Sequence, residues 1–72
     1  MEIESKFKIK GNRINACLYE IDMTRSELCE ITQIDPSAMA KIIKNKVPLI
    51  SLGKAVCIAK ALGYPVELVF IF

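Results

Sequence analysis

The segment from Thr24 to Ile42 constrains the fold of this chain most strongly, because two helix starts follow each other within it. Thr24 is followed three residues later by Glu27, the spacing of a capping box that satisfies the free amides of a first helical turn. Asp35 before Pro36 predicts a second start, since a carboxylate accepts from those amides and proline at the first helical position loses no hydrogen bond. The segment therefore predicts two helices of about two turns each, joined by a tight turn.

The apolar residues of this segment are spaced as on helices. Leu28 and Ile31 predict the inward side of the first helix, and Met39 and Ile42 predict that of the second. Two short helices around the turn Gln33–Ile34 form the helix-turn-helix unit, which places its second helix in a groove of DNA. Gene regulation is therefore the first functional hypothesis.

The chain before this segment changes its period at Gly11-Asn12. Residues 2–10 alternate between apolar and charged side chains, which predicts a half-exposed strand. From Asn12 the spacing predicts a first helix that ends near Asp22. Its predicted inward residues are Ile14, Cys17, Leu18 and Ile21.

The chain after this segment predicts two further helices. Residues 45–48 interrupt the pattern, and a fourth helix is predicted to begin near Leu49 or Ser51. Gly63 suits the left-handed residue that ends this helix, and Tyr64-Pro65 can start a last short one. The predicted inward residues of the two helices are Leu52, Val56, Ala59, Leu62, Leu68 and Val69.

The last residues of the chain are wholly apolar, whereas termini are usually polar and frayed. We expect this end to be covered, either by the N-terminal strand in a small two-stranded patch or by another protein chain, and the residues alone leave both open. The candidate seam for a second subunit or a partner consists of Phe70, Ile71 and Phe72.

Composition limits the functions that fit. The 72 residues predict a single domain, 1–72, and a chain of this size buries only about 60% of its unfolded surface. Its hydrophobic content of 53% is above the usual ~45–50%, so either the core is rich or apolar surface is kept for another protein. The net charge is only +2 and the pI is about 8.5, below the pI above ~9 of a strong autonomous nucleic-acid binder.

Several chemistries are not expected. Cys17, Cys29 and Cys57 are widely spaced and the chain has no histidine, so we expect neither a metal site nor a disulfide framework, and we predict small buried cysteines. Reduced thiols fit a cytoplasmic protein, and neither a signal peptide nor a membrane-spanning run is predicted. No glycine-rich phosphate loop, carboxylate pair or activated nucleophile can be assembled, so we expect no enzyme, cofactor or small-molecule substrate.

Several groups of residues carry a resemblance to a known family. They are Asn12-Arg13-Ile14, Thr24-Arg25-Ser26-Glu27-Leu28, Ile34-Asp35, Met39, Lys41-Ile42, Asn45 and Ile58-Ala59-Lys60-Ala61-Leu62-Gly63. Over about residues 12–70 the chain resembles the Cro/C1-type helix-turn-helix regulators of phages and bacteria. The resemblance implies a mainly α, five-helix domain of the lambda-repressor type, here with short N- and C-terminal strands. The chain departs from the family at Gln33 and Lys46, where glycine is frequent, and at Arg25, where glutamine is frequent.

The length, the strand-like start and the apolar end resemble a narrower group, the small modulator-of-repression proteins of temperate phages. Those proteins work beside a separate repressor as anti-repressors. The resemblance implies that the partner is a phage repressor protein, with double-stranded DNA bound directly or through the complex.

The second helix of the unit is the candidate binding surface. With Met39 and Ile42 inward, the outward residues are Ser37, Ala40, Lys41 and Lys44, with Pro36 and Ala38 beside them. Arginine, asparagine and glutamine discriminate bases best, and this surface has none of them. Lys41 could reach guanine and Ser37 could bond to any base. Arg25, Lys41, Lys44 and Lys46 could together hold phosphates, or they could be ordinary solvated charges.

Three functions fit these observations. In the first, an anti-repressor of a phage switch binds its repressor through the surface around the second helix. In the second, an autonomous Cro-like repressor binds DNA as a dimer, with residues 69–72 as the dimer seam. An antitoxin is a weaker third, because no separate toxin-neutralising extension is present.

Overall fold

The computed structural model describes residues 6–72, among which there are five helices and four short strands. In chain order they are β1 (Lys6–Lys8), β2 (Gly11–Asn12), α1 (Ile14–Glu20), α2 (Arg25–Thr32), α3 (Pro36–Ile43), β3 (Leu49–Ser51), α4 (Leu52–Leu62), α5 (Val66–Val69) and β4 (Phe70–Ile71). The predicted mainly α, five-helix domain with short strands is confirmed. Residues 2–5 of the predicted first strand lie outside the described residues.

All five helices contribute to one hydrophobic core. Each provides a side chain with almost no exposed surface: Ile14, Leu28, Met39, Ile58 and Val69. α4 packs against α2 and α5, and α3 packs against α2. The second helix of the unit therefore has one side in the core, with Met39 and Ile42 buried. None of the helices among residues 6–72 combines the length and the hydropathy that crossing a membrane requires.

The strands pair differently from the prediction. β1 pairs antiparallel with β3, with Phe7 opposite Ile50, whereas the C-terminal β4 pairs antiparallel with β2. The apolar end therefore pairs with Gly11–Asn12, just after the predicted first strand, and not with β1 itself, and the Lys10 N–H also donates to the Ile71 carbonyl at 2.6 Å. Pro48 favours an extended conformation for the residue before it. The Pro48 carbonyl accepts from the Ile9 N–H at 3.1 Å, so the chain continues into β3 beside β1.

The apolar end of the chain is partly covered from within the molecule. Phe70 is 1% exposed and belongs to the core, whereas Ile71 and Phe72 are exposed. The ring of Phe72 lies edge-to-face against that of Phe7, with 6.1 Å between the ring centroids. Of the predicted seam, only Ile71 and Phe72 are therefore open to a second chain.

Several residues predicted to face inward are exposed. They are Ile21, Ile31, Leu52, Val56 and Leu68. At the end of α2, Thr32 is buried in place of Ile31, and its hydroxyl donates to the Leu28 carbonyl at 2.7 Å. In α4, which begins directly after β3, Ala55 and Ile58 are buried in place of Leu52 and Val56.

The predicted helix ends and cysteines are partly confirmed. α1 ends at Glu20, earlier than Asp22, which has a left-handed backbone with φ of 57°. Gly63 ends α4 with φ of 82°, as predicted. Cys17 and Cys29 are buried as expected, and the prediction is wrong for Cys57, which is exposed.

Candidate nucleic-acid interface

The capping box at the start of α2 is confirmed. The Glu27 N–H donates to the Thr24 hydroxyl at 3.1 Å, and the Thr24 N–H donates to the Glu27 carboxylate at 2.9 Å. The hydrogen bond from the Thr24 backbone, and then that from its hydroxyl, lower the pKa of the Glu27 carboxyl. These local bonds define where α2 begins.

The turn between the helices has a left-handed residue that is not glycine. Gln33 has φ of 60° and ψ of 30°, a conformation that costs a non-glycine residue about 1 kcal/mol. Its backbone N–H donates to the Cys29 carbonyl, and its side-chain amide donates to the Glu30 carbonyl at 2.8 Å. The side chain thus satisfies a carbonyl at the end of α2, a hydrogen bond that glycine could not make.

The start of α3 is set by Asp35. Its carboxylate accepts from the N–H groups of Ser37 at 2.9 Å and Ala38 at 3.4 Å, with Pro36 at the first helical position. Met39 and Ile42 are buried, as predicted. Ser37, Lys41 and Lys44 are therefore on the exposed side of α3, while Ala38 and Ala40 are half-buried.

The end of α3 is held by Asn12, which lies in β2. Its side-chain amide donates to the carbonyls of Ile42 at 3.0 Å and Ile43 at 3.2 Å, and to the side-chain oxygen of Asn45 at 2.9 Å. Its own side-chain oxygen accepts from the Ile14 N–H at 3.1 Å. One side chain thus joins the end of α3 to the start of α1. The sequence motif contained Asn12, but this role could not be derived from it.

A groove lined by lysines lies beside α3. Its volume is about 460 Å³, and we call it the lysine groove because Lys6 of β1, Lys41 of α3 and Lys54 of α4 line it. All three side chains are exposed, whereas Ile42 and Ile50 in its lining are buried. Of these three lysines only Lys41 was predicted as a contact, because the other two come from distant segments of the chain.

A second groove lies between α2 and α3 and has the opposite charge. We call it the acidic groove, since Glu27, Glu30 and Asp35 line it together with Pro36. Asp35 also lines the lysine groove. The groove toward β1 and α4 is therefore mainly positive, and the groove toward α2 is negative.

The two grooves divide the predicted contact residues. Ser37, Ala38 and Lys41 line the lysine groove, and Pro36 lines the acidic groove. The remaining four, Arg25, Ala40, Lys44 and Lys46, line neither. Among residues 6–72, no three histidine, cysteine, aspartate or glutamate side chains are close enough to share a metal ion.

Two short helices joined by a left-handed turn, the second with an exposed polar side, define a helix-turn-helix DNA-binding domain. A family model described as Cro/C1-type HTH DNA-binding domain matches residues 13–67, and the chain belongs to this family. No curated protein and no solved structure matches the chain.

The family match supports the broad resemblance found in the sequence. The narrower resemblance to phage modulators of repression receives no support from it. The family is one of DNA-binding regulators rather than of enzymes. The strands β1, β2 and β4 lie outside the matched residues, so Lys6 and Asn12 belong to the part of this chain that the family model does not cover.

Proposed function

We propose that the chain regulates transcription by binding double-stranded DNA with the exposed side of α3. The observation that carries this proposal is the position of Ser37 and Lys41, exposed on a helix whose other side is buried and which the lysine groove borders. A helix fixed in this way can enter a major groove while the rest of the domain stays outside.

Phosphate contacts supply most of the affinity in this proposal. Arg25, Lys41, Lys44 and Lys46 are exposed around the helix-turn-helix unit and can contact phosphates from both ends of α3. No arginine, asparagine or glutamine is present within α3, so only Ser37 and Lys41 are available there to read base edges by hydrogen bonds. We therefore expect strongly salt-dependent binding with modest sequence preference.

A DNA-binding domain of this size commonly works as a dimer on two half-sites one helical turn apart. Ile71 and Phe72 are the exposed apolar residues at the end of the chain and are the proposed dimer seam. Phe70 is buried in the core and supports the seam from within.

A second candidate is the anti-repressor function, in which the same surface binds a phage repressor protein. The observation that favours it is the apolar border around Lys41 and Lys44. Pro36 is exposed there, and Ala38, Ala40 and Ile43 are half-buried. A shallow apolar surface with two lysines also suits contact with another protein, which would then be kept from its operator.

Fluorescence anisotropy distinguishes the two candidates. The protein is titrated at low salt into labelled duplexes from the promoter region beside its own gene, first alone and then with the neighbouring repressor already bound. For DNA binding we expect saturation by the protein alone and at least about fivefold weaker binding for Lys41→Ala, the loss of one base contact. Lys60→Ala is the matched control, because Lys60 lies in the last turn of α4 and lines neither groove.

The other outcomes are equally decisive. No binding alone, together with a changed affinity of the repressor for its operator, would establish the anti-repressor function. No effect in either experiment would refute both candidates.

A further inference from the structure

The lysine groove has a composition that suits an extended polyanion. Its rim has Lys6, Lys41 and Lys54, all exposed, on three separate elements. Its lining includes the buried or half-buried apolar side chains of Ile42, Val47, Ile50 and Ala38. Charges on a rim above an apolar floor can contact an anion that passes along the groove, without being desolvated themselves.

The polar groups at the start of α3 and α4 are already occupied by the chain itself. The Asp35 carboxylate accepts from the first amides of α3, and the Ser51 hydroxyl accepts from the Lys54 N–H at 3.2 Å. Asp35 is the single acidic residue in the groove lining. The three lysines therefore determine what the groove attracts.

The charges on the two sides of α3 favour one position of a DNA backbone beside this helix. The net charge of the chain is only +2, so the distribution of charge matters more than its sum. A phosphate backbone is attracted to the lysine groove and repelled by Glu27 and Glu30 in the acidic groove on the other side. A duplex that receives α3 is thus drawn toward β1 and α4.

We propose that the lysine groove holds the phosphate backbone of one DNA strand alongside α3, with Lys6 and Lys54 as its phosphate contacts. The inference rests on the proposed DNA binding and extends it to two residues that sequence patterns did not indicate. Lys6 lies outside residues 13–67, so the family match does not cover this contact.

The salt dependence of binding tests this inference. The dissociation constant is measured by anisotropy over a range of KCl concentrations for the wild type, Lys6→Gln, Lys54→Gln and the double variant. Each lost phosphate contact reduces the slope of log K against log salt by about 0.9, so we expect a reduction of about 1.8 for each bound protomer of the double variant. The loss should be the same on a promoter duplex and on a scrambled duplex, because phosphate contacts carry no sequence information.

Two controls accompany these variants. Lys60→Gln removes an exposed lysine from the other end of α4 and should leave the slope unchanged. Glu30→Gln removes a charge from the acidic groove and should not reduce it. Far-UV circular dichroism and the Tm of each variant show that it is folded, and all substituted side chains are exposed.

The measurements distinguish a failure of the proposed DNA binding from a failure of the inference about the lysine groove. A wild type that binds no duplex at low salt overturns the proposed DNA binding and this inference together. A wild type that binds, with an unchanged slope in the double variant, overturns this inference alone. Binding of poly-glutamate that depends on Lys6 and Lys54, with an unchanged slope on DNA, would assign the groove to an acidic protein and also overturn it.

Discussion

The helix-turn-helix unit and the two ends of the chain are held by contacts of different range. In the unit, Thr24 and Glu27 cap α2, and Asp35 caps α3 through amides two and three residues away. At the ends of the chain, β2 pairs with β4, and Asn12 bonds to a carbonyl 30 positions further along. The short-range contacts decide where each helix begins, and the long-range contacts decide how α3 is oriented on the domain.

This difference separates the formation of the binding surface from its positioning. A capping residue stabilises one helix by about 1 kcal/mol, whichever way that helix points. Asn12 caps neither α2 nor α3 at its start. Its side chain instead joins the end of α3 to β2 and to the start of α1. We therefore expect substitutions at the chain ends to affect the whole domain or the binding surface, and substitutions at the caps to affect local stability.

The largest effect is expected from Phe70→Ala. Phe70 is 1% exposed, and truncation of a buried phenylalanine costs about 3–5 kcal/mol. Because small domains have only about 5–15 kcal/mol of total stability, we expect a large fall in the urea midpoint measured by circular dichroism. Phe72→Ala is the matched control, since Phe72 is 45% exposed and loses mainly its edge-to-face contact with Phe7, about 0.5–1.5 kcal/mol. Equal losses in the two variants would contradict the assignment of Phe70 to the core.

A smaller effect on stability, with a clear effect on the binding surface, is expected from Asn12→Ala. The substitution removes the side-chain donor to the carbonyls of Ile42 and Ile43, of which that of Ile42 keeps the Asn45 N–H at 3.1 Å, and we expect a cost of about 1–3 kcal/mol. We expect faster hydrogen exchange of the Lys44 and Lys46 N–H groups, which bond to carbonyls of α3, and weaker DNA binding at a temperature where the variant is folded.

The control for this substitution is Asn15→Ala, which truncates the same side chain at an exposed position of α1. Unchanged exchange at Lys44 and Lys46 in the Asn12 variant would show that other contacts alone orient α3. Equal effects of the two substitutions would show that the measured change reflects general stability.

The same difference in range explains how much could be predicted from the sequence. Both caps, the left-handed Gly63 and the exposed Ser37 and Lys41 were predicted, because each depends on residues within a few positions. The contacts of Asn12 with α3, the pairing of β3 with β1 and the meeting of Lys6 with Lys54 were not. These depend on segments that the fold brings together from far apart in the chain.

The rotation of α2 and α4 about their axes was the other feature that the sequence predicted incorrectly. Ile31 is more hydrophobic than Thr32, yet Thr32 is the buried residue, and its hydroxyl avoids the cost of burial by bonding to the Leu28 carbonyl. In α4, small Ala55 is buried while the larger Val56 is exposed. Apolar spacing therefore identified the helices, but packing against neighbouring elements decided which neighbour of each pair faces inward.

The smallest effect is expected at the capping box and depends on pH. Hydrogen bonds from Thr24 lower the pKa of the Glu27 carboxyl, so its contribution to stability is present above the ordinary pKa of glutamate and is lost as pH falls through the lowered value. At neutral pH we expect Glu27→Gln to lower the Tm slightly, because an amide accepts these hydrogen bonds less strongly than a carboxylate. The difference in Tm from the wild type should then narrow on acidification.

Glu30→Gln, outside the capping box, is the control for the loss of one charge. A difference that stayed constant through the acid range would show that Glu27 contributes by its shape and not by its charge, in which case the lowered pKa would play no part in holding the start of α2.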